Sequence, residues 1–267
     1  MTFELFPSPS VLLQVGPFAL RWYALAYITA LVVGWRIMRR LVRLSPAVAT
    51  EEQTDDFLTW ATLGVVLGGR LGYVLFYQPG YYLSHPVQAL AVGEGGMSFH
   101  GGALGVIVAT AVYALRNGLH PVGFADRLVV VVPLGLALGR LANFVNGELW
   151  GRVAPAWLPW AVVFPAAGPE PRHPSQLYQA GLEGVLLFIV LWALSRREAV
   201  RARFGTLSGT FLVGYAVARS IGELFRQPDA FLGCLYAGAT MGQLLSLPMF
   251  LAGLWLLLRP AWARRAA

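Results

Sequence analysis

Lysine is absent from this 267-residue chain, cysteine occurs once, and only 12% of the residues are charged. A water-soluble domain carries about 25% charged residues. Half that share, with 57% apolar residues and a mean hydropathy of +0.61, describes a chain built for lipid. The shortage of charge excludes a sizeable soluble domain, intrinsic disorder and a nucleic-acid module. The lone Cys234 can close no intrachain disulfide and hold no cysteine-based zinc site, and its place before the last apolar segment reads as structural. No basic residue precedes Arg21, so an N-terminus without the charged start of a cleavable leader is expected. No internal repeat is visible, which argues against an inverted-repeat transporter. Also missing are a His-Glu-x-x-His zinc helix and a Gly-x-Ser-x-Gly elbow.

What is present is a series of apolar runs. Hydropathy predicts an all-α integral membrane protein, one polytopic domain over residues 1–267. Its bundle of about seven transmembrane helices is placed near 18–38, 57–77, 97–116, 125–146, 177–195, 207–225 and 240–258. The connection 147–176 holds Pro155, Pro159, Pro165, Pro169 and Pro171 without a helical period, so it reads as an outer loop, ordered or disordered. Glycines recur at four-residue spacing, as in Gly64/Gly68, Gly68/Gly72, Gly101/Gly105, Gly135/Gly139 and Gly238/Gly242. In lipid such pairs let helices approach closely, so they are read as packing.

All 20 basic residues are arginines, and 13 of them follow the first, third, fifth and seventh runs. Arg21, Arg152, Arg172 and Arg226 lie at the opposite ends. The positive-inside rule then places the N-terminus outside and the C-terminus inside. The basic balance is topological, and no nucleic-acid partner is expected.

Arg70, Arg140 and Arg219 remain, each inside a predicted span. A lone arginine at mid-membrane costs roughly 2.5–3.5 kcal/mol on insertion scales, so three of them require partners or a purpose. With the orientation above, nearly all the costly polar residues share the outer half of the membrane: Tyr23, Arg70, His100, Arg140, Asn143, Asn146, Glu148, Tyr215, Arg219 and Glu223. Asp126 falls at an inner end, which disfavours an aspartyl dyad. Independent structural pairs would have no reason to share one depth. Tyr215, Arg219 and Glu223 are spaced i, i+4, i+8 and stack on one helix face, where Arg219 and Glu223 can pair. Arg140, Asn143 and Gly147 share another face, and Gly139, Gly147 and Gly151 flank the polar groups.

Arginine's fork matches phosphate oxygens, and in a low-dielectric cavity that contact is strong. The anion available at that depth is a phosphoglycerol lipid head group. Asn143 and Asn146 can donate further hydrogen bonds. His100, between Phe99 and two glycines at a span end, is a candidate proton acceptor. His85 and His120 read as loop residues, and His173 as a residue that orients its loop.

The string Gly139-Arg-Leu-Ala-Asn-Phe-Val-Asn-Gly-Glu-Leu-Trp-Gly151 resembles the signature of the bacterial prolipoprotein diacylglyceryl transferases. Gly96-Met-Ser-Phe-His-Gly-Gly102 and Arg172-His-Pro-Ser-Gln-Leu-Tyr178 resemble two further motifs of that family, and Phe225-Arg-Gln-Pro-Asp229 with Met241-Gly-Gln-Leu-Leu-Ser246 a fourth. Gln179 departs from the pattern, because many members carry glutamate after the tyrosine. The resemblance implies transfer of the diacylglyceryl group of phosphatidylglycerol to the lipobox cysteine thiol of prolipoprotein signal peptides. A thioether forms and glycerol 1-phosphate leaves, the first step of bacterial lipoprotein maturation. The resemblance also implies a multi-pass protein of the bacterial cell inner membrane, with a site open to the outer, periplasmic half. Its partners are phosphatidylglycerol, the prolipoprotein and membrane lipids, and the reaction needs no cofactor and no metal.

On that reading Arg140 and Arg219 clamp the phosphate, with Arg70 as a further contact, while Asn143, Asn146 and Gly151 position the head group. Glu148 and Glu223 orient the arginines, Tyr23 and Tyr215 line the cavity, and His100 or the arginine field activates the substrate thiol. A flippase or anion transporter would continue its polar residues toward the inner face, where this chain is nearly all apolar. An intramembrane protease would need a nucleophile that is missing here.

Overall fold

The computed structural model describes residues 11–15, 18–91, 95–228 and 240–259, so Cys234, Gly238, Asp229, Arg264 and Arg265 lie outside the described residues. Its helices are α1 (Trp22–Val42), α2 (Glu51–Phe76), α3 (Pro79–Ser84), α4 (Phe99–Arg116), α5 (Pro121–Leu128), α6 (Val132–Val145), α7 (Ser175–Gln179), α8 (Leu187–Ser195), α9 (Glu198–Ala202), α10 (Thr206–Phe225) and α11 (Met241–Leu258). A π-helical stretch, Ala180–Leu186, joins α7 to α8. Two antiparallel ribbons are also present, β1 (Val11–Val15) with β2 (Phe18–Arg21), and β3 (Val162–Val163) with β4 (Pro171–Arg172).

Local chemistry explains the helix ends. Thr50 and Gln53 form a capping box at the start of α2, and Thr240 with Gln243 repeats it at α11. The helix expected from residue 18 begins at Trp22 because residues 18–21 pair as β2. The run 125–146 is interrupted between α5 and α6. Pro133 sits in the first turn of α6, where its missing N–H is harmless, but it cannot continue a helix arriving from α5.

Five helical stretches among the described residues are long and apolar enough to cross a membrane: α2, α4, Pro121–Val145, Ser175–Ser195 and α11. Helices α1 and α10 have the length, but Arg36, Arg39 and Arg40 in the first and Arg219 and Glu223 in the second reduce their apolarity.

The chain forms two units, residues 38–125 and residues 1–37 with 126–267. In the first, α2 and α4 pack along each other through glycines. A Cβ on Gly72 would come within 2.7 Å of the Gly101 Cα, and one on Gly64 within 2.8 Å of the Gly105 carbonyl oxygen. Cβ atoms essentially never approach backbone this closely, so only glycine permits this contact. We expect Gly105→Val to force the helices apart at a cost above the usual 1–3 kcal/mol or so of overpacking, because the obstacle is backbone. Thermal unfolding in detergent checks this, with Gly80→Val as control, since nothing lies within 4 Å of a Cβ at Gly80.

In the second unit α10 packs along α11, and α6 packs against the π-helical stretch. Gly184 lies so close to α6 that a Cβ there would meet the Ala137 Cα at 2.7 Å. Asp126, fully buried, accepts hydrogen bonds from Gly205 N (2.8 Å), Ser208 N (2.9 Å) and Ser208 Oγ (2.6 Å). It therefore satisfies the otherwise orphaned amides at the start of α10, and its chemistry is that of a cap.

Candidate functional site

The end of α6 supplies the first half of the site. The helix stops at Asn146, and Gly147 (φ 66°) and Leu149 (φ 55°) both take left-handed backbone. Glycine adopts that region freely, whereas leucine does so only under constraint. The turn folds Glu148 back over the helix end, where its Oε1 accepts from Asn143 Nδ2 (2.8 Å) and Asn146 Nδ2 (3.3 Å). Gln176 Nε2 donates to the Glu148 carbonyl (2.6 Å) and Ser175 Oγ to that of Leu149 (3.3 Å), which pins the turn to α7. Glu148 thus orients the two asparagines, whereas an arginine partner was expected.

The second half is a chain of alternating charge. Arg140 Nη2 lies 3.3 Å from Glu183 Oε2, and Arg219 Nη1 lies 3.6 Å from Glu183 Oε1. Arg219 Nη2 lies 2.6 Å from Glu223 Oε1, which Arg226 Nη1 also approaches at 3.2 Å. The expected Arg219–Glu223 pairing along α10 is present. Side-chain exposure is 0% for Glu183, 3% for Glu223, 11% for Arg219 and 16% for Arg140, so the ladder sits where charges are weakly screened. Among the described residues Glu183 lies between Arg140 and Arg219, and Glu223 between Arg219 and Arg226. Among the described residues Arg219 Nη1 has no hydrogen-bond partner, its 3.6 Å approach to Glu183 being too long for one. The arrangement is suited to taking an anion.

Glu183 is the residue that sequence reasoning missed, although its signal equals that of Arg219: an ionisable side chain inside an apolar run. It sits on the π-helical stretch, a wider turn that is often found at functional sites. Tyr215, half-buried one turn before Arg219, is within electrostatic reach of Glu183, Arg219 and Arg140. On α1 it is Tyr27 that lies within reach of Arg140, and Tyr23 meets that tyrosine, ring centroids 5.0 Å apart.

Arg70 and Gly151 have protein partners of their own. Arg70 is buried and its guanidinium donates to carbonyl oxygens of Ala89 (2.8 Å), Gly95 (2.7 Å), Gly96 (3.2 Å) and Gln88 (2.5 Å). Its donors hold a loop together, and a lipid phosphate would have to compete with four carbonyls. Gly151 is a close-approach point: its N–H donates to the His173 carbonyl (3.1 Å), and a Cβ would meet the Phe225 carbonyl oxygen at 2.7 Å. It joins segments of chain, and the lack of a side chain is what lets them approach. His100 lies in the 38–125 unit, exposed in the first turn of α4, with its ring edge-on to Phe99 at 5.7 Å.

Residues 147–176 are ordered by main-chain bonds among themselves and to the end of α10. Arg152 N donates to the Phe225 carbonyl (2.9 Å), and Gln227 N to that of Trp150 (3.2 Å). His173 packs between Tyr178 and Phe225, and burial lowers its pKa from the ordinary value near 6.5. The folded state therefore favours neutral imidazole. The stability this confers is complete above the unfolded pKa and is lost as pH falls through the folded one. We expect the thermal midpoint in detergent to drop between pH 7 and pH 5, and the drop to shrink in His173→Gln.

A model of the prolipoprotein diacylglyceryl transferase family matches residues 10–259 of this chain. The phosphatidylglycerol–prolipoprotein diacylglyceryl transferase of Gluconacetobacter diazotrophicus is 67% identical over 255 residues, covering 94% of this chain and 91% of the relative. The protein of the same name from Acidiphilium cryptum is 60% identical over 256 residues, covering 96% and 93%. That from Paramagnetospirillum magneticum is 58% identical over 267 residues, covering 99% and 98%. With a helical architecture, the signature at the end of α6 and similarity along nearly its whole length, the chain belongs to the prolipoprotein diacylglyceryl transferase family.

Proposed function

We propose that this chain transfers the diacylglyceryl group of phosphatidylglycerol to the lipobox cysteine thiol of a prolipoprotein signal peptide. The carbon–oxygen bond between the diacylglyceryl carbon and the phosphate breaks and a carbon–sulfur bond forms. The thiol proton passes to a base, and glycerol 1-phosphate leaves. The names of the relatives supply the lipid and the protein substrate. The observation that carries the reading is the buried ladder of Arg140, Glu183, Arg219, Glu223 and Arg226, in which Arg219 Nη1 is left without a hydrogen-bond partner among the described residues. Charge develops on the phosphate as the bond breaks, and guanidinium donors fixed in a water-poor place stabilise it without reorganisation.

Arg140 and Arg219 hold the phosphate. Asn143 and Asn146, set by Glu148, donate beside them. Tyr23 and Tyr215 complete the lining, and Glu223 positions Arg219. His100 is the proposed proton acceptor, because a cysteine thiol with a pKa near 8.5 must be ionised to attack. In the membrane the chain makes seven spans, α1 and α10 included, with its N-terminus outside and its C-terminus inside, a reading that the arginine distribution supports. It resides in the bacterial inner membrane with the site open to the periplasmic half.

The test is a transfer assay on the purified chain in detergent with phosphatidylglycerol and a lipobox peptide, following peptide mass and released glycerol phosphate. A diacylglyceryl mass gain that disappears with a Cys→Ser peptide supports the reading. No transfer under conditions where a relative works overturns it.

A further inference from the structure

Arginines recognise a phosphate, which every phospholipid carries, so choosing one head group needs other atoms. Gln176 and Gln179 are fully buried on α7. Gln176 Nε2 donates to the Glu148 carbonyl (2.6 Å), and Asn146 Nδ2 donates to Glu148 Oε1 (3.3 Å). With these nitrogens engaged, the carbonyl ends of both amides are assigned, and among the described residues neither Gln176 Oε1 nor Asn146 Oδ1 receives a hydrogen bond. On the next turn Gln179 has, among the described residues, a partner for neither Oε1 nor Nε2. Its side chain lies against α10 at Gly222, where a Cβ would come within 3.0 Å of Gln179 Cγ and 3.4 Å of Nε2. That position adjoins Glu223, and Gln179 precedes Glu183 by one helical turn, so the amide borders the arginine ladder on both helices.

Buried amide atoms are nearly always hydrogen-bonded, and a group of them left without partners points to a ligand that supplies the missing donors. Three of the four unpaired atoms are acceptors. A buried ammonium would need a carboxylate beside it, and Glu183 and Glu223 are already engaged by arginines. Neutral hydroxyl groups fit uncharged acceptors, and the Gln179 N–H can in turn serve a hydroxyl oxygen.

We propose that Gln176 and Gln179, with Asn146, recognise the hydroxyls of the head-group glycerol, making this amide row the determinant of lipid specificity. The inference rests on the lipid-transfer reading above. The full chain in detergent is assayed with phosphatidylglycerol and with phosphatidylpropanol, which has the same charge and nearly the same size but lacks those hydroxyls. We expect the wild type to favour phosphatidylglycerol in kcat/KM by about tenfold or more, as a site built to bond a hydroxyl does. In Gln179→Met, close in shape but unable to bond, the ratio should collapse toward one, mainly through KM. Gln179→Ala, which cannot overpack, is read in parallel. Because a ratio is measured, partial loss of folded protein cancels. Equal use of the two lipids by the wild type overturns the proposal without any variant, and so does an unchanged ratio in both variants. Absence of transfer from either lipid by the wild type would instead overturn the transfer reading itself.

Discussion

Arg219→Ala will lower kcat/KM for transfer by about 10²–10³-fold, the usual cost of removing one preorganised donor from a developing oxyanion. The geometry makes Arg219 the most exacting member of the ladder. One nitrogen faces Glu183 at 3.6 Å, the other is bound to Glu223 at 2.6 Å, and its side chain is 11% exposed. Its orientation is set by two carboxylates on different helical stretches, so the guanidinium is held before the substrate arrives. Arg219→Lys should recover little, because an ammonium is a single point of charge and cannot span both carboxylates while also facing a phosphate. Arg140→Ala should fall in the same range. The check is kcat/KM from peptide mass and released glycerol phosphate, alongside the detergent melting curve of each variant. Full transfer by a folded Arg219→Ala chain would remove that residue from the site.

Glu183→Leu will damage the protein more deeply. Glu183 is fully buried and lies between Arg140 and Arg219. Removing it leaves two guanidinium groups facing each other in a low dielectric with nothing between them. Breaking a buried pair by deleting one partner costs about 3–5 kcal/mol, which for a chain of this size corresponds to a fall in melting temperature of order 10 °C. Glu183→Gln keeps the shape and one acceptor but loses the charge, so it should be intermediate in stability while still losing most activity. Melting curves and transfer rates measured on the same preparations decide this. A Glu183→Leu chain that melts like wild type would mean that the two arginines find other counter-charges.

Much of the site was legible in the chain because lipid makes polarity conspicuous. Arg140 and Arg219 stood out through their cost in apolar runs, and the i, i+4 spacing of Arg219 and Glu223 was enough to pair them. Glu183 was overlooked within the apolar run 177–195, although the same cost applied to it. Glu148 was assigned to an arginine because charge complementarity suggested it. The left-handed turn at Gly147 and Leu149 aims it at Asn143 and Asn146 instead. Arg70 is an arginine in an apolar run like the other two, but its partners are main-chain carbonyls 18 to 26 residues further along, which no spacing rule reaches. At Gly151 the missing side chain makes room for neighbouring backbone, a close approach that no local pattern announces.

By itself the sequence determined that this is a helical membrane protein and which chemical class of residue it holds in apolar runs. Its motifs also identified the family. Those properties are local or compositional: hydropathy, periodicity, capping pairs and the cost of a buried charge all act within one or two turns. Only the tertiary structure decided that Glu183 meets both Arg140 and Arg219 and so joins two helices into one ladder, and which amides are left without partners among the described residues. These pairings depend on side chains far apart in sequence, brought within 4 Å by close helix contacts such as that of Gly184 with Ala137, and distance in space is what sets both hydrogen bonding and charge interaction.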